Sequence, residues 1–179
     1  MVELSSVVSV FSSLIRTDTG RAIRGVFGIA PKVGVHFTGL LTPVRLLSIP
    51  VGQRFKAGEI VIDADGIRYL AGNWTANTML GHKVCENFIL FEVHEYVPWT
   101  RAVTVEEPIS GGSRVVSNTL LGTIGVLREP QALQLDAIGI QVERYRYLMG
   151  QKPQLGDFLE DKEVKLIDFV NGLYYVQAQ

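Results

Sequence analysis

Apolar residues fall along this chain in textures that change from one end to the other. Between Leu4 and Arg16, Val7, Val10, Phe11, Leu14 and Ile15 recur at spacings of three and four, which draws one apolar stripe along a helix. Thr17, Asp18, Thr19 and Gly20 follow as turn formers, so residues 1–20 are expected to be a short amphipathic helical appendage. From Val26 onward, Gly25, Gly28, Gly34 and Gly39 cut a run of Val, Ile and Phe into pieces of strand length. The remainder, residues 26–179, reads as a β-rich core, and the whole chain as one domain.

Two units carry the clearest pattern. In QRFKAGEIVIDADGIRYLAGNW, alternating residues lead into Asp65-Gly66 and out again through Ile67, Tyr69 and Ala71, which predicts strands near 58–63 and 67–72. In LGDFLEDKEVKLIDFVNGLYYVQAQ, Val164, Leu166 and Ile167 lead to Asn171-Gly172, and Leu173 to Val176 return. Laying Gly66 on Gly172 sets Ile67-Arg68-Tyr69-Leu70 against Leu173-Tyr174-Tyr175-Val176. That match fits either two copies of one element or the common chemistry of hairpins.

Between these units, residues 87–99 read as one long strand closed by Pro98, and Arg101 to Glu106 as another extended piece. Around 133–149 helical and strand periodicities compete, and the alternation from Val142 to Leu148 favours a strand. Pro108 to Asn118, with Ser110, Gly111, Gly112, Ser113 and Arg114 at its centre, is the least core-like stretch and reads as an exposed loop or hairpin tip. The fold class expected is mainly β: a small β-barrel or β-sandwich with an N-terminal amphipathic helix and a long exposed loop.

Composition narrows function more than fold. Seventeen basic against eighteen acidic residues leave a net charge of −1, which supplies no general attraction to nucleic acid or anionic membrane. No uninterrupted apolar run approaches the length of a membrane-spanning helix, and the N-terminus lacks the basic start of a secretory signal. A lone cysteine, Cys85, excludes an internal disulfide and a thiolate zinc site within one chain.

Candidate chemistry is thin. His36, His82 and His94 lack metal-ligand spacing; a Cys85/His94 pair across strands is the best available nucleophile and base. Asp63 and Asp65 flank a turn, where aspartates serve local backbone bonds rather than paired-carboxylate catalysis. The glycine-rich stretches carry no phosphate-loop or dinucleotide pattern. Tyr145 and Tyr147 alternating with Arg144 and Arg146 offer a second reading, a barrel that stacks single-stranded nucleic acid. No catalytic residue, cofactor or metal ligand is expected, and the chain reads as a structural or assembly protein rather than an enzyme.

Gly58-Glu59-Ile60 with Asp65-Gly66-Ile67-Arg68-Tyr69, and again Gly156-Asp157-Phe158 with Asn171-Gly172, resembles a barrel element of the neck proteins of tailed bacteriophages, the head-tail connector or stopper family. The resemblance covers about a third of the chain and is confined to these elements. It implies a small β-barrel that forms a homo-oligomeric ring in the virion after synthesis in the host cytoplasm. Its partners would be portal, adaptor or tail proteins. The loop near 108–118 would face the channel and touch DNA non-specifically.

Overall fold

The computed structural model describes residues 13–29, 44–79, 82–106, 113–129, 134–135, 141–142 and 145–179. Fourteen strands are described in these residues: β1 (Ser13–Thr17), β2 (Ala22–Ile29), β3 (Arg45–Pro50), β4 (Ile60–Ile62), β5 (Arg68–Met79), β6 (His82–Glu92), β7 (Glu95–Glu106), β8 (Ser113–Arg128), β9 (Gln134–Leu135), β10 (Gln141–Val142), β11 (Tyr145–Met149), β12 (Asp157–Leu159), β13 (Lys162–Val170) and β14 (Leu173–Ala178). The mainly β class and the barrel architecture therefore hold. The chain groups into two compact units, one of residues 1–94 with 170–173, the other of 95–169 with 174–179.

Each unit contains a closed barrel, which leaves no open sheet edge around its wall. The first runs β1-β2-β3-β6-β5-β4 and the second β11-β14-β13-β12-β7-β8. Read from β7, the second order is β7-β8-β11-β14-β13-β12, the connectivity of the first barrel repeated. Registers carry the equivalence down to residues. Val61 pairs with Thr17 and Tyr69, and Leu159 pairs with Trp99 and Lys162. Leu47 pairs with Phe27 and Phe88, and Tyr147 with Arg128 and Val176. On this alignment the interior of the first barrel (Ile15, Ile23, Leu47, Ile49, Val61, Ala71) matches that of the second (Val97, Ile124, Tyr147, Met149, Leu159, Val164).

The expected laying of Gly66 on Gly172 is thereby corrected. The β4-β5 hairpin around Gly66 corresponds to β12-β13, and the Asn171-Gly172 hairpin corresponds to β5-β6. Turn residues look alike wherever a tight reversal is needed, so glycines of non-equivalent hairpins align by chemistry alone. The better anchor is Gly58 with Gly156. Both have positive φ, +90° and +84°, and their amides donate across to Ala71 and Val164 at 2.8 and 3.0 Å. Each precedes a carboxylate that caps the amide three residues back, Glu59 on Lys56 and Asp157 on Gln154.

Other expectations shift locally. Residues 4–12 of the expected N-terminal helix lie outside the described residues, but its last turn is strand: Ser13 to Arg16 pair with β2. Ile15 and Thr17 point inward while Leu14 and Arg16 are exposed, a period of two that barrel pairing selects over the helical stripe. The expected strand 87–99 breaks at Val93 and His94 into β6 and β7. Pro98 does not close it; it lies within β7, where its carbonyl accepts the Glu160 amide at 2.8 Å. Tyr145 to Met149 is a strand, in the stretch where alternation favoured one.

Candidate functional site

The expected partner loop sits on β7 and β8. Ser110, Gly111 and Gly112 lie outside the described residues; Ser113 and Arg114 begin β8, opposite Glu106 and Val105, so the stretch from 113 to 118 is strand. The outer neighbour of β7, β12, ends its pairing at Arg101, and that of β8, β11, begins at Val126. Residues 102–106 of β7, paired with 113–118 of β8, therefore extend past the barrel as a two-stranded ribbon, with a register shift within it at Val103/Thr104 and another at its base at Trp99/Thr100. Such shifts bend a ribbon and increase its twist. Val103 on it, and Leu120 and Leu121 of β8 at its base, are exposed.

The base of the ribbon is held by a buried carboxylate. Asp157 is 1% exposed and accepts from Arg101 Nε at 2.6 Å, Arg101 Nη2 at 2.9 Å, Trp99 Nε1 at 2.9 Å and the Gln154 amide at 2.8 Å. Burial alone would push its carboxyl up, but the Arg101 guanidinium and the two other donors outweigh it and hold the group below the ordinary aspartate range. In the first barrel the equivalent carboxylate, Glu59, pairs with Arg21. Nothing in this arrangement leaves the carboxylate free to act as an acid or base; it is a fastening.

At another set of equivalent positions each barrel carries a cation against aromatic rings, with the partners exchanged. In the first, Arg45 lies over Phe27 and Tyr69 at 5.6 and 5.3 Å and pairs with Asp63. In the second, Tyr145 takes the place of Arg45 and is covered by Arg128 and Lys162 at 5.3 and 4.8 Å. Arg128 replaces Phe27 and Lys162 replaces Tyr69. Each contact is a cation–π attraction. Burial and Asp63 push the Tyr69 phenol up, and burial pushes up Tyr147 against the opposing Arg128.

Residues singled out for chemistry are placed apart or inside. Cys85 is buried near Asn87 in β6, whereas His94 is exposed beyond the end of that strand. With strands rising about 3.3 Å per residue, the two are about 20 Å or more apart. Asp63 accepts the amides of Asp65 and Ile67, the local turn role expected of it. Tyr147 is wholly buried and offers no ring face to a base. Arg146 pairs with buried Glu129, which also accepts from the Tyr175 hydroxyl at 2.8 Å. Arg144 and His36 lie outside the described residues. Among the described residues, no group of three or more acidic, His or Cys side chains is placed to hold a metal ion, and no helix is long and apolar enough to cross a membrane.

Sequence reasoning missed an open groove of about 670 Å³ on the second unit. It runs along β13 and the approach to β12, lined by Leu155, Leu166, Ile167, Phe169 and Tyr174 with Lys152, Lys165 and Asp168 at hand. The Phe169 and Tyr174 rings meet at a tilt of 42° with centroids 4.8 Å apart, and Leu155 and Phe169 are 68% and 62% exposed. The signal available was the apolar density of Leu166 to Val170, which is more than one face of a strand needs. Compared with protein-family models, curated proteins and solved structures, the chain matches none.

Proposed function

We propose that this chain is a structural virion protein of a tailed bacteriophage, a neck or head-tail connector or an adjacent tail component, working through ring-forming protein-protein contacts. The observation that carries the assembly reading is the β7-β8 ribbon. A two-stranded ribbon alone is marginally stable in water, yet 102–106 and 113–118 extend past the barrel with no further strand paired to either outer edge among the described residues, and Val103 on the ribbon and Leu120 and Leu121 at its base are exposed. Unpaired strand edges and apolar side chains are what a neighbouring subunit covers. The phage assignment is supported by the Gly-acid elements at 58–60 and 156–158, which in this chain both serve as barrel fastenings. The ribbon tip, with Arg114 at its edge, would be the part that meets a partner or a DNA channel.

The test is the state of the purified full-length chain. Sedimentation and negative-stain microscopy should show discrete closed oligomers as concentration rises, alone or with a portal or tail protein of the same genome. A chain that stays monomeric under all these conditions and binds a small metabolite tightly would overturn the reading. The genes on either side give an independent check, since portal, capsid or tail genes are expected there.

A further inference from the structure

Among the asparagines of the chain, Asn171 is the one followed by glycine. Such a pair is prone to lose its side-chain amide, because glycine puts no side chain over its own nitrogen. The Gly172 nitrogen attacks Asn171 Cγ. An N–Cγ bond forms, the Cγ–Nδ2 bond breaks, and Nδ2 leaves as ammonia with the proton of the Gly172 amide. The product is a five-membered succinimide. Water then adds at either ring carbonyl and opens the ring to aspartate, or to isoaspartate with the main chain rerouted through Cβ and Cγ.

Ring closure has a geometric requirement: about the Asn171 Cα–C bond, the Gly172 nitrogen must lie on the same side as Cβ. Asn171 has φ of +51°, and a non-glycine residue there sits in the left-handed helical well, where ψ is about +47°. At that angle the following nitrogen is turned away from Cβ. The peptide joining residues 171 and 172 must therefore swing through nearly half a circle before Cγ comes within reach.

Within the first unit, to which residues 170–173 belong, Ala57, Gly72 and Asn73 form a seat that opposes this rotation. The Asn73 backbone amide donates to the Asn171 backbone carbonyl at 2.6 Å, a bond that the rotation breaks. A β-carbon on Gly172 would collide with Ala57 Cβ and come within 2.7 Å of Asn73 Nδ2, so Gly172 already fills its space. The next residue is pinned as well: Leu173 is fully buried, and a β-carbon on Gly72 would lie 3.1 Å from its Cδ1. Asn171 itself is exposed. Water reaches the site, and geometry alone holds the reaction back.

We infer that Asn171 is a deamidation site held closed by the seat of Ala57, Gly72 and Asn73, and that opening of the turn commits it to conversion into aspartate and isoaspartate. The reaction passes through the molecules whose turn has opened, so its rate follows the local opening equilibrium. It is also one-way. Both products carry a carboxylate in place of a neutral amide, and isoaspartate lengthens the main chain by one methylene beside Gly172, where no space is free. The isoaspartate turn cannot return to its seat. The inference concerns the turn alone and holds whatever the chain assembles with.

The experiment follows the peptide containing Asn171 by mass spectrometry after incubation of the full-length chain in mildly alkaline buffer, folded and in guanidinium chloride, for wild type and Ala57→Leu. A bulkier side chain at residue 57 presses on Gly172 and loosens the turn, and circular dichroism reports whether the variant keeps its strands. Folded wild type should convert about a hundredfold more slowly than the unfolded chain, and folded Ala57→Leu about tenfold faster than folded wild type, with the two equal in denaturant. The isoaspartate form, isolated by anion exchange, should exchange its Asn73 amide faster than the unmodified chain. The wild-type comparison needs no variant, so it decides even if Ala57→Leu fails to fold. Wild type that converts as fast folded as unfolded would overturn the inference, and a folded Ala57→Leu chain no faster than wild type would overturn the seat as what holds the site closed.

Discussion

Asp157 shows how a single residue can join a hairpin to a barrel. Its carboxylate is buried and saturated by four donors, so removing Arg101 strands a charge that has little water to turn to. Arg101→Ala is expected to lower the urea midpoint, by less than a fully buried pair would because the Arg101 side chain is partly solvated. The same geometry sets a pH dependence. A carboxyl held below its unfolded value stabilises the fold fully above the ordinary aspartate range, near pH 3.9, and loses that contribution as pH falls through the lowered folded value. Wild-type protein should therefore lose stability steeply at the acid end, and Asp157→Asn should flatten that part of the profile while lowering stability at neutral pH. Gly172 is the second residue with a sharp expectation. It combines φ of +78° with no room for a β-carbon, so Gly172→Ala should lower stability by about 2–3 kcal/mol, from left-handed strain plus overpacking. Gly66 has φ of +84° but open space around it, and Gly66→Ala should cost only the strain, about 1 kcal/mol.

Among the elements, the ribbons separate what is fastened from what is free. Backbone amides at 102–106 and 113–118 belong to a hairpin that, among the described residues, has no second neighbour on either side, whereas β11 and β14 are paired on both. Hydrogen exchange should show the ribbon amides opening at low free energy and those of Leu148 and Val176 near the global value; assembly should then protect the ribbon. Much of this level was legible beforehand. Asn171-Gly172 and Asp65-Gly66 announced their turns because positive φ leaves few residue choices. The strand at Tyr145 to Met149 followed from alternation. The first strand was not legible, because Val7, Val10, Phe11, Leu14 and Ile15 satisfy a helical stripe, and Leu14, which that stripe needs inside, is 69% exposed. Only pairing with β2 and β4 decides that Ile15 and Thr17 face inward. The groove was illegible for a related reason, since Leu155 and Leu166 lie eleven positions apart and nothing local indicates that they share a surface.

For the molecule as a whole, the repeated connectivity explains why the chain reads as one long β-rich stretch yet contains two cores. Loop lengths differ between the copies: the first hairpin is short in one barrel and extended in the other, so no constant offset relates equivalent residues and the repeat escapes a scan of the sequence. Core identities differ too, Leu47 against Tyr147 and Ala71 against Val164. Two separate cores carry a thermodynamic consequence. Leu47→Ala removes a fully buried side chain from the first core and Met149→Ala one from the second, each costing about 3 kcal/mol. The chain holds two tryptophans, Trp74 in the first unit and Trp99 in the second, so Trp99→Phe and Trp74→Phe backgrounds report the units one at a time. Leu47→Ala should lower the urea midpoint read by Trp74 and leave that read by Trp99 nearly unmoved, with Met149→Ala doing the reverse. Equal shifts in both probes for both substitutions would mean that the duplicated barrels have merged into one cooperative body, and that each core's stability is set by contacts it does not itself contain.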